Sequence, residues 1–203
     1  MIGIVDYKMG NLASVQNAFS ILGEKTVIVY DPERFKEYDK LLLPGVGAYG
    51  DAMKHLKQRG MDDALREYAT SGKYMFGICL GMQLLFESSE EFGDSAGLGL
   101  IKGSVKAFDK SRFQENLKVP HIGWNRVFTK EHPLFYGLDA SHYLYFVHSY
   151  HAECTNKEDI IGTTNYGYEF TSAIARENIL GIQPHPEKSH KNGLKILENF
   201  IKL

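Results

Sequence analysis

Within the first 84 residues, short and almost purely apolar runs alternate with segments of helical period, and this alternation limits the possible folds more than any other feature. The runs lie at residues 2–5, 26–30, 41–43 and 74–78. They are too short for helices and carry no polar alternation, the pattern of strands buried on both faces. Between the first two, Asn11 is placed to cap a helix with Leu12, Val15, Phe19 and Leu22 on one stripe and Gly23 as its stop. Further helical segments are expected at 51–58, at 61–69 with Leu65 and Tyr68 inward, and from 80 to about 87. Strand–helix alternation of this kind predicts an α/β fold: a mostly parallel central sheet flanked by helices.

The second half changes period. A glycine-rich stretch at 93–103 leads into short alternating strands expected at 103–108, 122–127, 143–151 and 160–165. Residues 171–175 and 179–183 flank Arg176-Glu177-Asn178 as a hairpin. An amphipathic helix at 193–202 closes the sequence, with Leu194, Leu197, Phe200 and Ile201 on its apolar face. This half adds an antiparallel β portion. No repeat, low-complexity tract or linker divides residues 1–203, so one domain is expected. At 43% hydrophobic and 24% charged, the chain can build a core. A net charge of −2 argues against a whole-surface grip on nucleic acid. The two cysteines, Cys79 and Cys154, cannot form a disulfide framework and fit a reducing compartment. Residues 1–6 lack a basic leader, and no run approaches 18 apolar residues, so neither a signal peptide nor a membrane helix is expected. A cytoplasmic location is the resulting expectation.

Gly77-Ile78-Cys79-Leu80-Gly81 sits where an expected strand meets an expected helix, the setting of a nucleophile elbow. A helix N-terminus there would favour a thiolate. Cys154 has no such setting. A thiol nucleophile needs a base. Among eight histidines His185 stands out, because Gln183-Pro184-His185-Pro186-Glu187 comes after a strand and Glu187 can fix its tautomer. Pro44-Gly45-Val46-Gly47 ends the third strand at the same sheet edge, where its backbone amides can meet an oxyanion. It lacks the Lys-Ser/Thr ending of a phosphate loop. His148 and His151 are three apart in one expected strand and so face opposite ways, which argues against a shared metal.

Oxyanion loop, nucleophile and base, in that order, resemble the class I (triad) glutamine amidotransferases, and the resemblance implies a flavodoxin-like sheet. The likeness narrows through Asp6-Tyr7-Lys8-Met9-Gly10-Asn11, Pro44 to Met53, Pro120-His121-Ile122-Gly123-Trp124-Asn125 and Tyr145-Phe146-Val147-His148-Ser149-Tyr150. These resemble the glutaminase subunits of imidazole glycerol phosphate synthases. The resemblance implies glutamine hydrolysis by Cys79, His185 and Glu187, with an oxyanion site from Leu80 and Gly45, Val46 and Gly47. Gln83, Ser149 and Tyr150 would hold the amino-acid end of glutamine. It also implies a (β/α)₈-barrel synthase partner that takes the ammonia, docked on Met9, Trp124, Asn125, Tyr145 and Lys188, and no metal or organic cofactor. Two positions depart from the pattern: Lys8, where a small residue is usual, and Pro184, where an aromatic is usual. A paralogous glutaminase that serves another acceptor, such as a surface sugar, shares the same triad. The intact set of Cys79, His185 and Glu187 argues against a non-catalytic scaffold that kept the fold, and a cysteine peptidase or amidase of the same superfamily would not need Gln83 or the Pro120 to Asn125 segment.

Overall fold

The computed structural model describes residues 1–203. Five strands, β1 (Ile2–Val5), β2 (Thr26–Val29), β3 (Lys40–Gly45), β4 (Tyr74–Cys79) and, much later, β13 (Ile179–Ile182), run parallel in the order β2-β1-β3-β4-β13. The remaining strands are β5 (Phe86–Ser89), β6 (Ser95–Ala96), β7 (Ile101–Ala107), β8 (His121–Thr129), β9 (Ser141–His148), β10 (Tyr150–Cys154), β11 (Ile160–Tyr166) and β12 (Tyr168–Arg176). The sheet continues from β13 through β12, β10, β7 and β5 to β6, and β11, β8 and β9 branch from β12. All pairings beyond β13 are antiparallel except β5 with β7.

The apolar runs are buried on both sides, as their composition requires. Leu41 and Leu43 enter one core cluster and Leu42 the other; Met75 and Phe76 divide in the same way. Helices α2 (Tyr49–Gln58) and α3 (Met61–Thr70) cover the first face through Met53, Leu56, Met61 and Leu65. The opposite face is covered by α1 (Leu12–Ile21) and α5 (His190–Lys202) through Val15, Phe19, Ile196 and Phe200. The Asn11 side chain caps α1 by accepting from Ser14 N–H. No helix is long and apolar enough to cross a membrane.

Two expectations change. The helix expected over 80–87 ends early: α4 spans Leu80–Leu84, and Phe86, fully buried, begins a strand that pairs with β7. Sheet burial of Phe86 and Ser89 overrides the helical reading. The strand expected over 143–151 breaks at Ser149 into β9 and β10, which pair with different neighbours. His148 and His151 therefore do not face opposite ways across one strand. Both rings pack on Phe108, at 5.3 and 4.9 Å between centroids.

Helix α5 is fastened beneath β4 by Phe200, fully buried with its ring 5.1 Å from Phe76. Phe200→Ala should cost about 3–5 kcal/mol of folding stability in a urea titration. Lys202→Ala, on the exposed side of the same helix, should stay within about 0.5 kcal/mol.

Candidate active site

Register brings the site together. Gly45 pairs with Cys79 and Ile182 with Ile78, so the carboxyl ends of β3, β4 and β13 lie at one edge of the parallel sheet. The chain leaves all three strands at that edge: Val46 and Gly47 come after β3, Cys79 ends β4, and Gln183 to Glu187 come after β13. This is the crevice where open α/β sheets bind ligands.

Cys79 has φ +54° and ψ −113°, a backbone region that side-chain-bearing residues rarely adopt. The elbow holds because α4 starts against the sheet. A Cβ on Gly81 would sit 1.7 Å from the Leu43 carbonyl oxygen, and one on Gly77 would sit 2.6 Å from that of Gly81. Only glycine fits this crossing. Because α4 has five residues, its dipole is small, and the first amides of the turn carry what stabilisation a thiolate receives there.

The His185 Nδ1–H donates to Glu187 Oε1 at 2.7 Å, with both side chains almost wholly buried. This leaves Nε2, which holds no other hydrogen bond, toward the Cys79 thiol. Burial pushes the His185 pKa down, but the Cys79 sulfur and Glu187 carboxylate outweigh it and raise the pKa to about 10. Cys79 and Glu187 thus favour the imidazolium, so that the ring, oriented by Glu187, readily takes and holds the thiol proton at Nε2. The segment is fixed on both sides of Pro184: Gln183 N–H donates to Ser172 O and His185 N–H to Tyr145 O, each at 2.8 Å.

A cavity of about 440 Å³ opens at this edge, lined by Cys79, His185, Leu80, Gln83, Val46 and Gly47, with Ser149, Tyr150 and Lys188 on its other walls. Gln83 donates both amide hydrogens, to Tyr150 O at 3.0 Å and to Gln183 Oε1 at 2.9 Å. Its Oε1 is left to accept from a ligand. Gly45 lies just behind the wall. The Val46 N–H donates to Met9 O at 3.1 Å and so is directed away from an oxyanion in this conformation. Lys8 takes φ +71°, which accounts for the small residue usual there, and its N–H donates to Asp6 Oδ1 at 2.8 Å. A larger cavity of about 530 Å³, lined by residues of the 129–140 segment, contains none of the residues singled out from the sequence.

The residues singled out for docking fall differently. Trp124 is 46% exposed on the outer face of β8, stacked on His190 at 5.1 Å and edge-on to Tyr145. Lys188 is exposed at the cavity rim, and Met9 is half-buried under the oxyanion loop. Asn125 is half-buried and points the other way, its amide donating to Asn165 O at 2.9 Å.

Sequence reasoning missed four groups. Glu91, His148 and Pro120 also line the cavity, and Gln183 Nε2 donates to Cys79 Sγ at 3.7 Å. Glu91 Oε2 accepts from Tyr49 N–H at 2.7 Å, and burial raises its pKa. Its place depends on β5, which the helical reading of 80–87 hid. Gln183 carried a signal, being the one polar residue between a buried strand and the base.

The model of the family "Glutamine amidotransferase class-I" matches residues 4–203. The chain is 73% identical over 202 residues to the imidazole glycerol phosphate synthase subunit HisH of Sulfurimonas denitrificans, covering all of this chain and 98% of that one. It is 56% identical over 204 residues to the subunit of the same name from Wolinella succinogenes, covering both completely. Among solved structures, PurLQS from Thermotoga maritima superposes with a TM-score of 0.78 at 18% identity, over 99% of this chain and 97% of that one. A crystal structure of a glutamine amidotransferase gives 0.76 at 17%, over 99% and 97%. At these identities the structures speak to fold alone.

Burial pushes the Cys154 thiol up to about 12, so it stays protonated and unreactive at neutral pH. Treatment with 6-diazo-5-oxo-norleucine should therefore add mass only to the peptide that holds Cys79. Cys79→Ala should abolish labelling and glutamine hydrolysis, while Cys154→Ala keeps both; mass spectrometry with an activity assay reads the difference.

Proposed function

Since the chain belongs to the class-I glutamine amidotransferase family, we propose that it hydrolyses glutamine to glutamate and ammonia as the glutaminase subunit of an imidazole glycerol phosphate synthase in histidine biosynthesis. The observation that carries this is the buried Cys79–His185–Glu187 constellation in a cavity whose walls suit an amino acid. The end-to-end identity with the HisH subunits supports the choice of synthase.

The geometry dictates the chemistry. His185 Nε2 takes the Cys79 proton, and the sulfur attacks the side-chain carbonyl carbon of glutamine. Glu187 holds the imidazolium that results. Collapse of the tetrahedral oxyanion returns the proton to the departing nitrogen, so that ammonia and a thioester form. Water, with His185 as base, then releases glutamate and restores the thiol. Glu91, on the cavity wall, is a counter-charge for the α-ammonium of the substrate, and Gln83 Oε1 is an acceptor beside it. No metal or organic cofactor enters these steps.

The oxyanion needs donors, and among the loop amides at 45–47 from which one was expected, Val46 N–H is bound to Met9 O. Turning the peptide between Gly45 and Val46 would aim it at the sulfur's target, and Gly47, at φ +99°, gives the adjoining backbone that freedom. A missing oxyanion donor costs about 3–4 kcal/mol, or roughly 10²–10³ in rate. A partner that favours the turned peptide by a similar amount would switch the enzyme on. The partner proposed is a (β/α)₈-barrel synthase subunit, seated on the cavity face in a cytoplasmic heterodimer. Ammonia that escaped to water would protonate and lose its nucleophilicity, so the mouth must be covered.

Glutamine turnover should be nearly absent for the chain alone, higher with the barrel subunit, and highest with the barrel and its acceptor substrate. Equal rates in all three would remove the switch and leave the triad. Trp124→Ala should weaken barrel binding by about 2 kcal/mol in a titration while the free chain keeps its melting temperature.

A further inference from the structure

Beside the catalytic cavity, two buried histidines form a chain that the reaction does not use. His148 Nδ1 lies 2.8 Å from Tyr150 O, and His148 Nε2 lies 3.0 Å from His121 Nδ1. His121 Nε2 lies 3.2 Å from the Asn125 amide nitrogen. A carbonyl only accepts and a carboxamide nitrogen only donates, so the two ends fix the protons independently. Tyr150 O requires His148 Nδ1–H, which leaves His148 Nε2 as an acceptor. Asn125 requires His121 Nε2 as an acceptor, which leaves Nδ1–H as the donor to His148. The two deductions meet without conflict in the middle of the chain.

The rings have no freedom to rearrange. His121 is sandwiched between Phe146 and Tyr166, at 4.7 and 3.9 Å between centroids, and His148 packs on Phe108. Burial lowers the two pKa values to about 4 and about 3, so both rings are neutral donors and acceptors at physiological pH. At its inner end the chain shares the Tyr150 carbonyl with Gln83 Nε2. Gln83 then donates to Gln183, whose amide donates to the Cys79 sulfur. Tyr150 O is thus the junction at which the histidines hold the substrate wall.

We propose that Asn125, His121 and His148 form a one-way hydrogen-bond relay that positions the Ser149–Tyr150 wall of the glutamine pocket. His121 and His148 are then positioning residues for glutamine, although His148 shares the cavity with Cys79 and His185. The proposal rests on the glutaminase reading of the same cavity. It assigns the second imidazole of the cavity to substrate binding and leaves proton transfer to His185 alone.

Histidine labelled with nitrogen-15 in the intact chain reads the relay without any substitution. At neutral pH, long-range proton–nitrogen spectra should show His121 and His148 as neutral Nδ1–H tautomers with bare Nε2 atoms. An Nε2–H tautomer or an imidazolium at either position would overturn the relay. In the complex with the barrel subunit, His148→Gln removes the Nδ1 donor and should raise KM for glutamine about tenfold with kcat changed less than about threefold. His148→Asn, whose amide nitrogen comes nearest the Nδ1 position, should recover most of that loss. An unchanged KM, or a collapse of kcat at constant KM, in folded His148→Gln contradicts the proposal. If the wild-type complex does not hydrolyse glutamine, the glutaminase reading fails instead, and the tautomers still decide whether the relay exists.

Discussion

A cysteine held at φ +54° and ψ −113° carries a backbone cost of about 1–3 kcal/mol, and it persists only where its surroundings leave no alternative. Here the surroundings are the two sheet crossings made by Gly77 and Gly81, which press the first turn of α4 onto the ends of β3 and β4. That contact raises the sulfur above the sheet edge. It also aligns Gly45 with Cys79, so the oxyanion loop and the nucleophile are placed by one register. The base arrives through the same logic, since β13 joins β4 in parallel and delivers Gln183 and His185 to the same edge. Displace the elbow and every other distance in the site loses its meaning.

The parallel half of the fold could be read from the sequence because its strands are buried on both faces, and double burial leaves an unambiguous apolar run. Leu41, Leu42 and Leu43 have no other interpretation. The elbow was legible for a related reason, since paired glycines around one reactive residue answer a steric demand. The segment after Leu84 was not. Phe86 and Glu87 read as the end of a helix, Ser88 and Ser89 carry no strand pattern, and the pairing of this segment with β7 depends on residues further along the chain. Glu91 stayed hidden with them. The break at Ser149 was masked because the residues on either side of it are all strand-compatible, and only the choice of partners divides them. His148 was misjudged for that reason alone. The outward position of Trp124 and the inward position of Asn125 are consecutive positions of one strand, a parity that the motif carrying both did not disclose.

The site is assembled from two kinds of structure with different tolerance for movement. Cys79, His185 and Glu187 are buried, and the base is tied by backbone bonds to β9 and β12, which leaves the reacting groups little latitude. The oxyanion loop is the opposite. Val46 is 41% exposed, and its amide is secured by one bond to a half-buried loop residue. With buried Cys79 and His185 beside an exposed Val46 held by a single backbone bond, the switch proposed above could act without disturbing the triad.

The order of strands has a consequence for synthesis. β13 lies at the middle of the finished sheet, between β4 and β12, yet it is the last strand in the chain. Gln183, which donates to the Cys79 sulfur, is 104 residues beyond it. While the chain emerges from the ribosome, β4 must therefore wait with an open edge, its backbone donors and acceptors unmatched, until residues 179–182 have emerged. Such an edge invites pairing with other chains, so this is the interval in which a chaperone's protection counts most. The delay also means that the thiol and its base cannot meet before residues 179–187 have emerged. A chain stalled earlier is an aggregation hazard, but it is not an unregulated hydrolase.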